Sequence, residues 1–271
     1  MPVLHRTVQI TVNTALLLLV VAALLPFAFM VLTGIQESTT VSLAFDPAKL
    51  QLDNFVRLFT EYQFGRALVT SAVVVVLACV VNLVVSSLAA YAFAKKPFPG
   101  SEALFWVYIA TMMVPVQVTI IPLFLIVRDL GLLNTPVALI LPIINAFGVF
   151  LIRQFMSSVP DELLEAARID GAKDLRIFAA IVLPLIKPVL IALTVFTFIT
   201  AWNDFLWPLV VISDESMQTV TLAAARLQGR FLTDYGLVMA GATVSFLVPF
   251  LIYLFLQRRF VQGVASIGLK G

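Results

Sequence analysis

Few residues in this 271-residue chain can react or ligate. Cys79 and His5 are its single cysteine and single histidine, so neither a disulfide framework nor a Cys/His metal site can be assembled. The remaining chemistry is acidic, amide and aromatic, and it gathers in two places. One is Trp202, Asn203 and Asp204 with Trp207, inside an otherwise uncharged apolar run. A carboxylate at a helix centre in lipid costs about 2.5–3.5 kcal/mol, so Asp204 is expected to face protein, water or the outer interface. Indole faces suit apolar C–H patches, and an amide with a carboxylate suits hydroxyls, as a pathway for a polyhydroxylated solute would need. The same residues equally suit an interfacial aromatic belt with helix packing. The other place is a charged connection from Ser157 to Pro188.

The elements that hold these residues follow from composition. Hydrophobic residues make up 61% of the chain and charged residues 12%, against about 45–50% and about 25% in soluble domains. Such a chain belongs in a bilayer. Its formal net charge of +2 is too small and scattered for a nucleic-acid footprint. About 20 helical residues cross about 30 Å of hydrocarbon, and six uncharged runs have that character: Val12 to Leu32, Ala67 to Phe93, Leu104 to Val127, Pro136 to Ile152, Val189 to Val211 and Leu237 to Leu256. The first is too long for the h-region of a signal peptide and reads as an uncleaved anchor.

With six spans both ends share a side. That side collects Arg6, Lys95, Lys96, Arg153, Arg168, Lys173, Arg176, Lys187, Arg258, Arg259 and Lys270, which predicts cytoplasmic termini. Pro115, Pro122 and Pro249 predict kinks inside the third and sixth spans. Asn82, Gln117 and Asn145 are expected to be interhelical hydrogen-bond clasps rather than solute contacts. No connection is large enough for a catalytic domain, and residues 1–271 read as one membrane domain.

In the connection between the fourth and fifth spans, SSVPDELLEAARIDGAKDLRIFAAIVLPLIKP, charge returns with helical order. Ser158 is expected to cap a helix that has Pro160 in its first turn and Asp161 and Glu162 at the positive end of its dipole. Gly171 suits a left-handed C-terminal cap. At 100° per residue, Asp161, Glu165 and Arg168 fall on one face and Leu163, Leu164 and Ala167 on the other. A helix this short is marginal in water. It must lie against its own bundle or against another chain.

Glu165-Ala166-Ala167, three residues, Gly171, nine residues, Ile181, one residue and Leu183-Pro184 closely resembles the EAA loop of ABC importer permeases. The segments TMMVPVQVTIIPLF (Thr111 to Phe124), AWNDFLWPLV (Ala201 to Val210) and QRRFVQGVASIGLKG (Gln257 to Gly271) are similar to those of carbohydrate-importer permeases, specifically the second permease of the maltose system. The resemblance implies an all-α integral membrane fold with six transmembrane helices and a cytoplasmic coupling helix between the fourth and fifth, within residues 157–188. It implies that Glu165, Ala166, Ala167 and Gly171 couple to a cytoplasmic ATPase, and that Gly268 and Lys270 belong to a tail reaching the ATPase subunits. Composition alone reads that tail as a frayed terminus.

The partners implied are a second permease, two ATP-binding subunits, an extracytoplasmic solute-binding protein, a sugar and membrane lipid. No cofactor is expected on this chain, since ATP and Mg would sit on the ATPase subunits. Consistently, no glycine-rich phosphate loop is present: the nearest segment, Gly263 to Lys270, has Leu269 at the lysine position. The competing reading is an ion-coupled secondary transporter with Asp204 as its ligand. A permease for a non-sugar solute is a further alternative.

Overall fold

The computed structural model describes residues 2–36, 49–228 and 234–268, with side chains over residues 9–255 of those ranges. Helix dominates because lipid offers backbone groups no partner, so each span must satisfy its own. The elements are α1 (Pro2–Gly34), α2 (Asp53–Thr60), α3 (Phe64–Lys95), α4 (Ser101–Ala110), α5 (Val116–Asp129), α6 (Pro136–Ile140), α7 (Ala146–Ser157), α8 (Asp161–Ile169), α9 (Asp174–Ile177), α10 (Leu183–Leu185), α11 (Lys187–Asn203), α12 (Leu206–Val211), α13 (Val220–Arg226) and α14 (Tyr235–Gly268). Among the described residues the only extended pairing is an isolated antiparallel bridge, Gln36 to Leu50.

Two compact units emerge. In the first, Met1–Arg66 with Ala223–Val248, Asn54 is buried and its amide donates to the carbonyls of Gly34 (3.0 Å) and Gln36 (2.9 Å). Gly236 is pressed against this knot: a Cβ there would stand 2.5 Å from the Gln36 carbonyl oxygen and 2.6 Å from Asn54 Nδ2. Phe27 of α1 stacks on Phe246 of α14 at 4.4 Å between ring centroids. Arg57 of α2 pairs with Asp234 at 2.9 Å, and that contact raises the Arg57 pKa above its ordinary value.

The second unit, Ala67–Leu222 with Pro249–Gly271, holds the connection of interest. Among the described residues three helices are long and apolar enough to cross a membrane unaided: Gln9–Gly34, Phe64–Lys95 and Tyr235–Phe255. Three bent pairs bring the number to six if each pair is one span. The third run, expected to kink, is broken, and so are the fourth and fifth, for which no kink was expected. Ser101–Met113 and Val116–Asp129 meet at 103° across Val114 and Pro115, where Val114 turns extended (ψ 119°). A residue before proline is driven to that region, so the backbone change falls there.

Pro136–Ile143 and Ala146–Ser157 meet at 50°, and Asp174–Leu185 meets Lys187–Asn203 at 80° about Ile186. The run expected as Val189 to Val211 also ends early: α11 stops at Asn203, and Asp204 is extended before α12 begins. By contrast α14 runs through Pro249 without a break.

Candidate coupling site

The helix expected in the charged connection is α8, nine residues from Asp161 to Ile169. Its start differs from expectation. Pro160 occupies the N-cap with no side-chain capping bond, while Ser158 ends α7 and donates its hydroxyl to the Phe155 carbonyl at 2.8 Å. A serine two residues before a proline completes the outgoing helix because Pro160 is already extended (ψ 133°) and sets the next one's entry. The end agrees with expectation. Gly171 is left-handed at φ +81°, its N–H donates to the Arg168 carbonyl (3.0 Å), and the Ala172 N–H donates to the Ala167 carbonyl (2.9 Å). This double closure is the Schellman arrangement, which removes two of the orphan carbonyls at a helix end.

One side of α8 packs on its own bundle and the other stays open. Leu164, 2% exposed, enters a buried cluster with Tyr91 of α3, Phe105 of α4, Ile152 and Met156 of α7, and Val182 and Val189 on the far side of the connection; Ala167 packs against it. Leu163, expected on the same face, is instead exposed. The apolar arc is narrower than a period count suggests, with Leu164 enclosed, Ala167 packed beside it and Leu163 left open. Glu162, Glu165 and Ala166 are exposed, and Ile169 is 87% exposed. A short helix thus offers water three carboxylates, Asp161 among them, with Leu163 and Ile169, a mixed surface suited to a protein groove.

Beyond Gly171 the chain forms α9 and then five residues of π-helix, Phe178–Val182, leading into Leu183-Pro184. Pro184 cannot donate to the carbonyl four residues back and its ring crowds that group; the wider turn, in which the Leu183 N–H reaches the Phe178 carbonyl, accommodates it. Phe178 is buried against Tyr91 at 5.1 Å between centroids.

Two basic residues read from the sequence only for orientation, Lys95 and Lys96, brace this connection, and a third, Arg153, ties α7 to α4 beside it. Lys95 Nζ donates to the Val159 carbonyl (2.6 Å) and to Asp161 Oδ1 (2.7 Å), with its side chain 3% exposed. Lys96 pairs with Asp174. Arg153 lies over the Phe105 ring at 3.8 Å and pairs with Glu102. The hydrogen bond from Lys96 is the chief reason that the Asp174 carboxyl sits below its usual pKa. A depressed carboxyl contributes its pairing above the ordinary carboxylate range and loses it as pH falls through the lowered value. The pair is therefore insensitive to pH near neutrality.

The expected pathway residues are placed differently from one another. Trp202 is 3% and Trp207 5% exposed; Trp202 lies over Phe198, and the Trp207 indole donates to the Ala138 carbonyl at 2.8 Å. Asn203 is exposed, its amide donating to Ile199 of its own helix. Asp204 lies at the break between α11 and α12, where its carboxylate accepts the Trp207 N–H (3.4 Å) and its carbonyl accepts the Thr221 hydroxyl (2.7 Å). The structure thus brings all four to one helix break, with the indoles inward and Asn203 outward.

Of the expected clasps, Asn82 is one: its amide donates to Thr197 Oγ1 (2.9 Å) between α3 and α11, and Ser86 donates to its carbonyl oxygen (3.0 Å). Gln117 is exposed and Asn145 caps α7 by accepting from the Phe147 N–H, so neither is a clasp among the described residues. The described residues hold no group of three or more potential metal ligands. Of the expected tail, Gly268 closes α14, whereas Lys270 lies outside the described residues.

Comparison with known proteins matches residues 83–266 to the family of binding-protein-dependent transport system inner membrane components. The chain is 36% identical over 260 residues to the arabinooligosaccharides transport system permease protein AraQ of Halalkalibacterium halodurans, covering 92% of each. It is 32% identical over 264 residues to the lactose transport system permease protein LacG of Rhizobium radiobacter, covering 96% of each. It is also 40% identical over 206 residues to the sn-glycerol-3-phosphate transport system permease protein UgpE of Pectobacterium atrosepticum, covering 75% of this chain and 73% of that one. Its fold matches a chain in the crystal structure of a bacterial ABC transporter involved in the import of the acidic polysaccharide alginate, with a TM-score of 0.80, 24% identity, and coverage of 94% of this chain and 97% of that one. The coupling segment, the six-span layout and these matches agree, and the chain belongs to the family of binding-protein-dependent transport system inner membrane components, with the fold of a type I ABC importer permease.

Proposed function

We propose that this chain is one permease subunit of an ATP-driven, binding-protein-dependent sugar importer, forming half of the translocation pathway beside a second permease. The observation that carries the reading is α8, held to the bundle by Leu164, ended by Gly171, and presenting Glu162, Glu165, Ala166 and Ile169 outward. That surface docks on a cytoplasmic ATPase, of which the importer has two copies. ATP and Mg bind there, and this chain is not itself an enzyme. Both termini lie in the cytoplasm, and Gly268 with Lys270 extends toward the ATPase subunits.

The sugar assignment is supported by the arabinooligosaccharide and lactose relatives. The sn-glycerol-3-phosphate relative adds a phosphorylated polyol as the second solute class to test. For the pathway, Asn203 and Asp204 supply the polar contacts, and the buried indoles of Trp202 and Trp207 hold the helix break in shape. Accepting the Trp207 N–H at the start of α12 gives the Asp204 carboxylate a structural task that an ion-ligand reading does not need. Closure of the ATPases pushes α8, and the bundle alternates between outward and inward access.

The test is to tag the chain in its native membrane, solubilise gently and identify co-purifying chains by mass spectrometry. Uptake of radiolabelled arabinotriose, lactose and sn-glycerol 3-phosphate is then compared in cells with and without it. An ATPase and a second permease in the eluate, with loss of one uptake activity, are the expected results. A chain that purifies alone and drives uptake in ATP-free vesicles would overturn the proposal.

A further inference from the structure

We propose that Lys95 and Lys96, consecutive residues at the cytoplasmic end of α3, are positioning residues that clamp the coupling segment at both of its ends. The inference rests on reading α8 as the coupling helix. Lys95 holds the entry, through the Val159 carbonyl and Asp161 Oδ1, and Lys96 holds Asp174 at the start of α9, beyond Gly171. Arg168 Nε lies 3.9 Å from the same Asp174 oxygen, so the exit tie also reaches the last turn of α8.

The geometry gives this arrangement a mechanical role. A nine-residue helix that enters the core through one fully buried side chain, Leu164, is free to roll about that contact. Two polar ties, one on each side, fix which residues face outward. The ties also choose the recipient of any push. Both converge on α3, a rod of 32 residues whose Asn82 is bonded to Thr197 of α11. A displacement of α8 therefore reaches α11 both along the chain and through α3.

The two ties differ in character. The Lys95 ammonium is almost wholly enclosed, and an enclosed charge is tolerated only with partners, so methionine would pack more simply there. Lys96 and Asp174 are partly exposed, at 38% and 57% of their side chains, and an ion pair open to water adds little static stability. Positioning, rather than stability, is the property both share.

The experiment uses the complete complex in proteoliposomes and reads ATP hydrolysis with and without the external binding protein. Coupling appears as the ratio of the two rates. Lys95→Met and Lys96→Asp are each expected to lower that ratio about tenfold, within the range that single sites along a coupling path carry, while the ATPase subunits still co-purify. Lys95→Arg keeps the ratio, and adding Asp174→Lys to Lys96→Asp restores it. A merely structural role would lower both rates together and leave the ratio unchanged.

Wild-type ratios in Lys95→Met and Lys96→Asp, or no restoration by the charge exchange, would overturn the clamp. Should Lys95→Met fail to assemble, the charge exchange at Lys96 and Asp174 decides alone. Glu165→Lys, on the outward face of α8, separates the two readings. If it lowers the ratio while the lysine variants do not, only the clamp fails; if it also leaves the ratio unchanged, the coupling reading fails with it.

Discussion

Gly171 combines a left-handed backbone with open space around its absent side chain, since a Cβ would meet nothing within 4 Å. The cost of replacing it is therefore conformational and not steric. Gly171→Ala is expected to lower stability by about 1–2 kcal/mol, the ordinary penalty for an L-residue in that region, with Gly171→Asn losing less. Thermal unfolding of the purified complex checks the order. This residue was legible in the sequence because periodic apolar spacing stops where a glycine stands. Ser158 was misjudged because the same hydroxyl can end one helix or begin the next, and the extended Pro160 between them decides. Lys95 showed only a topological role, since its partner Asp161 is 66 positions away and nothing local announces the pair.

Between helices, close approach rather than charge sets tolerance. A Cβ on Gly148 of α7 would stand 2.4 Å from Ser86 Oγ and 3.2 Å from Asn82 Oδ1, in the junction that Asn82 makes with Thr197. Gly148→Ala must push α7 away from α3, an overpacking that costs about 1–3 kcal/mol. Adding Ser86→Gly removes both Ser86 atoms from the clash and is expected to recover most of the loss. Urea-dependent loss of the assembled complex would show whether it does. The runs themselves were legible from hydropathy, which counts side chains. The break at Val114 was legible as a kink at Pro115 but not in its angle, and those at Ile144, Ile186 and Asp204 were not legible, because hydropathy is blind to backbone direction.

For the molecule as a whole, the basic residues argue for one orientation. Fluorescent reporters that mature only in the cytoplasm, fused separately to either end, are expected to be bright at both; a dark fusion at one end would mean an odd number of crossings. Fold class, the apolar runs and the short helix ended by Gly171 could all be read from the sequence, since each leaves a periodic or compositional trace. The bracing of that segment could not, because it arises only when α3, α8 and α9 meet.

The first helix bears a different kind of constraint. Its most apolar 18-residue window buries nothing within the chain, whereas its far end is fixed by Phe27 on Phe246 and by Gly34, whose Cβ would approach the Ala240 backbone at 3.1 Å. Selection on the early part of α1 then acts through oiliness and length, and on its last turns through shape. Among descendants of one ancestral gene, letters should drift freely along the first two-thirds of this helix and freeze near its end, a gradient of divergence written along a single rod.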